Sequence, residues 1–157
     1  MRNAQGGEME DFLETSYDKF VFRAKVGYFY SKDDFWASVS GNIATVGVSD
    51  FLQKARGDVA FLETAEVGTE IKQGQELGKI ETIKATFAIL SPVSGKIVEV
   101  NSELESSAYL INEDPYGAGW IYKIELTDFA GDQASLLPAG GYLELMKQKI
   151  AGEMKKK

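Results

Sequence analysis

Between Phe20 and Leu126 the chain is a succession of short apolar-rich runs cut by Gly, Asn, Asp and Pro. That punctuation suits strands and tight turns far better than long helices. Phe20–Val26, Tyr28–Tyr30, Phe35–Ser40, Ile43–Val48, Val59–Glu63, Glu76–Ile83, Thr86–Leu90, Lys96–Val100 and Ile121–Leu126 all read as strands. In Phe35–Ser40 the residues Phe35, Ala37 and Val39 alternate with Trp36, Ser38 and Ser40, the period-2 signature of a strand with two unlike faces. Gly41-Asn42 predicts a tight hairpin, because both residues tolerate positive φ. A helix of about two turns is expected from Asp50, with Asp50 as cap, Gln53 reaching back to it and Gly57 as a left-handed stop. Past Phe129 the pattern becomes helical, with Leu143, Met146, Ile150 and Met154 at steps of three and four before the lysines 155–157, which a helix C-terminus favours. Many short strands with one terminal helix predict a compact, mainly β, mostly antiparallel domain rather than alternating βαβ units. Residues 101–120 read as a long polar loop, a kind that often carries function.

The residue inventory removes most catalytic chemistry. There is no cysteine and no histidine among the 157 residues, so disulfides, thiolate nucleophiles, imidazole bases and Cys/His zinc sites are excluded. Carboxylates, tyrosines and lysines remain, and no spacing among the acids marks a catalytic pair. A carrier or binding module therefore ranks above an enzyme. The net charge of −7 offers no general attraction to nucleic acid. No apolar run approaches the roughly 18 residues that span a bilayer, so no membrane association is expected. Residues 1–19 are acidic, carry Gly6-Gly7 and resemble neither a secretory nor a transit signal, which predicts a mobile tail or short arm and a cytoplasmic location. The expected organisation is that tail, a β domain over residues 20–130, and a helical segment over 131–157 packed on it.

Chemistry concentrates around Lys84. It stands between two β runs, at the tip of an expected hairpin, within Gly78-Lys79-Ile80-Glu81-Thr82-Ile83-Lys84-Ala85-Thr86-Phe87. An amine on a four-carbon stem at such a tip is a natural attachment point for a swinging prosthetic group. On position alone, an ordinary solvated lysine is the commoner outcome.

The wider text changes that balance. Thr45-Val46-Gly47-Val48-Ser49-Asp50-Phe51, Gly57-Asp58-Val59-Ala60-Phe61-Leu62-Glu63, Val67-Gly68-Thr69-Glu70, Glu81-Thr82-Ile83-Lys84-Ala85, Ser91-Pro92-Val93-Ser94-Gly95 and Asn112-Glu113-Asp114-Pro115-Tyr116-Gly117-Ala118-Gly119-Trp120 occur in that order. Together with Tyr30-Ser31-Lys32-Asp33-Asp34-Phe35-Trp36 they resemble the H-protein family of the glycine cleavage system, over roughly residues 28–145. The resemblance implies a barrel-sandwich hybrid, or hammerhead, fold of lipoyl type with a short internal helix and a C-terminal helix. It implies lipoate in amide linkage to Lys84, within a motif formed by Glu81, Thr82, Ile83 and Ala85. Biotin carriers bracket their lysine with methionines, whereas Ile83 and Ala85 stand here, which favours lipoate.

The resemblance further implies a carrier, not an enzyme, that shuttles an aminomethyl group and reducing equivalents. Its partners would be a pyridoxal-phosphate glycine decarboxylase, a tetrahydrofolate-dependent aminomethyltransferase, dihydrolipoyl dehydrogenase and a lipoyl ligase or transferase. Asp34, Glu63, Asn112 and Asp114 are the candidates for lining the cleft beside the arm. One departure stands out: Asp34 and Phe35 occupy the place of the family's His-Glu pair before tryptophan. That change, with the apolar text Thr86–Leu90, keeps open an H-like lipoyl carrier for sulfur oxidation through a heterodisulfide-reductase-like system. An unmodified hammerhead binding module is the remaining alternative.

Overall fold

A computed structural model describes residues 11–154, with side chains as far as Gly152. The chain opens with an antiparallel hairpin of β1 (Phe12–Tyr17) and β2 (Phe20–Lys25). It continues through β3 (Phe29–Tyr30), β4 (Phe35–Ser40), β5 (Ile43–Val48), helix α1 (Asp50–Arg56), β6 (Val59–Thr64), β7 (Glu70–Ile71), β8 (Glu76–Thr82), β9 (Thr86–Leu90) and β10 (Gly95–Val100). A 3-10 turn (Ser102–Glu105), α2 (Leu110–Glu113), β11 (Tyr122–Leu126), α3 (Phe129–Gln133) and α4 (Ala139–Met154) complete it. One sheet has the order β3-β4-β5-β11-β10-β7, a second has β6-β8-β9, and every pairing is antiparallel.

The two larger sheets enclose the main core. Phe35, Ala37, Val46, Ile97 and Ile124 from the first meet Leu77, Ile80 and Ile89 from the second. Burying a large apolar side chain of this kind contributes about 1.5–3 kcal/mol. Trp36 points the other way from β4, into an aromatic cluster with Phe22, Tyr30, Phe51, Tyr116, Tyr142 and Met146. The expected alternation along Phe35–Ser40 is thus present, with both faces covered at its start. Trp36 sits opposite Gly47 in the ladder, and its indole occupies the space a side chain at 47 would need.

Several expectations change on contact with the structure. Residues 1–10 of the expected tail lie outside the described residues, but residues 12–17 are a strand packed on the domain, which corrects the mobile tail and agrees with the alternative of a short arm lying on the domain. Phe12 pairs with Lys25 and Tyr17 with Phe20, while Phe12 and Leu13 pack against the aromatic cluster. The turn between β1 and β2 carries no glycine signal in the sequence, because its left-handed residue is Asp18, φ 58°. Helix α1 is capped by Ser49, whose Oγ accepts from the Leu52 N–H at 3.1 Å, and Asp50 is its first residue. At the β4–β5 turn Gly41 has φ 60° and Asn42 does not share the positive sign, the pattern of a II′ turn. Residues 101–120 hold the 3-10 turn and α2 within the loop. The lysines 155–157 also lie outside the described residues. Among the described residues no helix is long and apolar enough to cross a membrane.

Candidate functional site

Strand β8 ends at Thr82 and β9 begins at Thr86, so Ile83, Lys84 and Ala85 form the turn between them. Thr82 governs this turn. Its N–H donates to Ala85 O at 2.8 Å, and its hydroxyl accepts from the N–H of Ala85 at 3.0 Å and of Lys84 at 3.3 Å. The hydroxyl proton reaches Arg56 O at 2.8 Å. A buried threonine therefore closes the turn and fastens it to the end of α1. Ile83 adds a second fastening, its N–H donating to Asp58 O at 3.1 Å, while its side chain is 78% exposed.

Lys84 is exposed, and among the described residues no carboxylate pairs with its ammonium. Its stem passes over Gly57, the residue that ends α1 with φ 95°. The Arg56 guanidinium lies 5.9 Å from the centre of the Phe87 ring, beside the turn. Glu81, the residue before Thr82, faces solvent opposite Thr86. The motif residues Glu81, Thr82, Ile83, Lys84 and Ala85 are thus brought together on one turn whose backbone is held from outside the hairpin.

The cleft candidates are placed differently from one another. Asn112 lies one step from the turn: its Nδ2 donates to Gly57 O at 3.1 Å and Gln53 Oε1 at 3.0 Å, and its Oδ1 accepts from the Val59 N–H at 2.9 Å. With its amide fully engaged, it braces the α1–β6 junction. Asp34 is buried beneath α4, where Oδ1 accepts from the Tyr142 hydroxyl and Oδ2 from Lys149 Nζ, both at 2.8 Å. Burial pushes its carboxyl above the ordinary carboxylate range, although Lys149, Tyr142 and the charge of Arg56 pull the other way. Asp34 also holds φ 79°, a conformation that costs a non-glycine residue of order 1 kcal/mol.

Glu63 and Asp114 are not brought to the turn. Glu63 faces solvent four residues along β6 from Val59, about 13 Å at the usual strand rise, opposite Lys79. Asp114 accepts from the Ala118 N–H at 2.9 Å and stitches its own loop, whose Tyr116 hydroxyl donates to Arg23 O at 2.7 Å. Phe35, which departs from the expected pair beside Trp36, belongs to the main core. Sequence reasoning missed the contributions of Arg56 and Gly57 to the lysine turn and of Tyr142 and Lys149 to Asp34. The first had a signal, since Gly57 marked a helix end; the second spans 108 residues and had none.

This arrangement presents one amine on a rigid, exposed turn, and among the described residues no cluster of carboxylates could hold a metal ion. The chemistry it offers is that of one accessible amine on a held backbone.

Comparisons with known proteins bear on that reading. A family model described as glycine cleavage H-protein matches residues 28–149. The glycine cleavage system H protein of Symbiobacterium thermophilum is 48% identical over 119 residues, covering 76% of this chain and 92% of that one. The probable glycine cleavage system H protein of Aeropyrum pernix is 39% identical over 144 residues, covering 92% and 98%. The crystal structure of a glycine cleavage system H protein from Mycobacterium marinum matches with a TM-score of 0.70 at 30% identity, covering 80% of this chain and 98% of that one.

Proposed function

This chain belongs to the glycine cleavage H-protein family, and on that premise we propose that it is a lipoyl carrier with its prosthetic group in amide linkage to Lys84. The observation that carries the assignment is the Lys84 turn itself: an exposed amine, without a carboxylate partner among the described residues, on a backbone that Thr82 and Asp58 hold in place. When bound, lipoate supplies a ring disulfide that can be reduced, loaded and reoxidised at the end of a flexible arm.

The residues of the chain then have defined tasks. Lys84 provides the amine, and its acylation removes one positive charge from the tip. Thr82 keeps the turn closed, so the Lys84 backbone is held at a constant place relative to α1. Glu81 and the exposed Ile83 present a charged and an apolar side chain to the enzyme that modifies the lysine. Tethering raises the local concentration of the reactive ring at each docked enzyme, which removes the need for free lipoate. The absence of cysteine means that a reduced arm meets no thiol partner on its own carrier.

On this reading the chain itself catalyses nothing and serves a glycine decarboxylase, an aminomethyltransferase and dihydrolipoyl dehydrogenase in turn, after loading by a lipoyl ligase or transferase. The relatives are named for the glycine cleavage system, which favours that pathway over a sulfur-oxidising one and over an unmodified module.

Intact mass of the chain produced with a competent lipoyl ligase, followed by peptide mapping of residues 79–96, tests the assignment. A lipoyl-sized increment on Lys84, absent from Lys84→Arg, is expected; an unmodified mass would overturn it. Support of glycine–carbon dioxide exchange by the loaded protein with a glycine decarboxylase then tests the pathway.

A further inference from the structure

Six glycines of the described chain have positive φ, and their surroundings differ. At Gly27, Gly41, Gly68 and Gly74 nothing lies within 4 Å of the place a Cβ would take. At Gly78 that place is taken by the backbone of Glu63 and the Tyr122 hydroxyl. At Gly57 it is lined by the Lys84 stem: Cε would be 3.3 Å from an added Cβ, Cγ 3.6 Å and Cδ 3.7 Å. A glycine that served only to stop α1 would need the backbone conformation but no open surface above it.

The backbone beneath the stem is held at three successive carbonyls. Arg56 O accepts from Thr82 Oγ1, Gly57 O from Asn112 Nδ2 and Asp58 O from the Ile83 N–H. The lysine backbone is fixed to the same segment through Thr82. Both the root of the stem and the surface it crosses therefore move as one body.

We propose that Gly57 is a positioning residue for the carrier lysine, its bare backbone forming a seat along which the Lys84 stem lies. The inference rests on the reading of Lys84 as the attachment site. The seat sends the first part of the arm along the end of α1 and leaves the distal atoms free to move. Any L side chain at this position would strain the backbone, and its Cβ would press on Cε at 3.3 Å, so that the stem would have to shift by a few tenths of an ångström.

Lysine-selective carbon-13 labelling of the full chain tests this, with the Lys84 Cε signal identified by its loss in Lys84→Arg. Relaxation is expected to report Lys84 Cε as about twofold more restricted than Cε of the exposed Lys72 and Lys96. Gly57→Ala should bring Lys84 to the level of those two, while Thr82→Ser should leave it restricted. A wild-type Lys84 Cε as mobile as Lys72 and Lys96 would overturn the proposal, and so would restriction that survives Gly57→Ala in a folded protein. If Gly57→Ala does not fold, the wild-type comparison decides alone. The readout needs no prosthetic group, so an unmodified Lys84 with a restricted stem would remove the carrier reading and keep the seat. A modified Lys84 with a free stem would do the opposite.

Discussion

The Tyr142 hydroxyl donates to Asp34 Oδ1 at 2.8 Å and lies 2.7 Å from the Ser49 hydroxyl, the group that caps α1. One phenol on α4 thereby joins a buried carboxylate in the β3–β4 loop to the first turn of the helix whose other end holds the lysine turn. Lys149, about two turns further along α4, closes the same carboxylate from its second oxygen.

The pH dependence of stability should carry the mark of Asp34. Its folded carboxyl holds a proton more tightly than its ordinary value of 3.8, chiefly through burial. A raised carboxyl contributes most below the unfolded value, and the contribution is lost as pH rises through the folded one. Urea unfolding from about pH 3.5 to about pH 7.5 should show this falling component in the wild type and lack it in Asp34→Asn.

Thr82→Val removes a hydroxyl that serves three backbone partners and leaves Arg56 O without its donor. The expected loss is about 1–3 kcal/mol by denaturant unfolding. Thr82→Ser should recover most of it, since the oxygen is retained; equal losses in both variants would point to methyl packing instead.

Gly47→Ala would bring a methyl to 2.8 Å from the Trp36 ring. Overpacking of this kind costs about 1–3 kcal/mol. Because Trp36 Nε1 donates to Pro115 O at 3.0 Å, a displaced indole should also change its emission, and thermal unfolding followed by tryptophan fluorescence reads both effects together.

Five of the seven tyrosines, Tyr28, Tyr30, Tyr116, Tyr122 and Tyr142, are held above the ordinary 10.0, each chiefly by burial. Their neutral forms stabilise the fold below that value, and the contribution is lost as pH rises through the folded values. Absorbance of phenolate near 295 nm should therefore lag that of the denatured chain and rise steeply with alkaline unfolding. A smooth titration at the denatured-chain position would contradict this burial.

The strands are legible because their punctuation is local: the bounds predicted for Thr86–Leu90 coincide with β9, and those for Val59–Glu63 stop one residue short of the end of β6. The turn that carries Lys84 is legible for the same reason, since a turn between two apolar runs is a short-range fact, whereas the role proposed for Lys84 comes from the wider resemblance, because position alone fits a solvated lysine. The N-terminal hairpin was not, because its turn uses Asp18 in place of glycine and Phe12 finds its packing partners only in the folded cluster. Asp34 was singled out as a departure from a family pattern, but its role depends on residues of α4, which no spacing in its own neighbourhood announces. The hydrogen bonds of the Asn112 amide to the α1–β6 junction are not legible either, because Gln53, Gly57 and Val59 lie more than fifty residues away.

Helix α1 is tied at its first turn through Ser49 and at its last through Arg56 and Gly57. A helix of seven residues so held has little freedom to slide or rotate, and the lysine turn shares that rigidity. On the carrier reading, whatever range the cargo sweeps must then come from bonds beyond the lysine backbone, which makes reach a property of the lysine stem and the attached group rather than of the fold. Exchanging that group for a longer or shorter acyl chain should change how far the cargo travels while leaving its point of departure where it is.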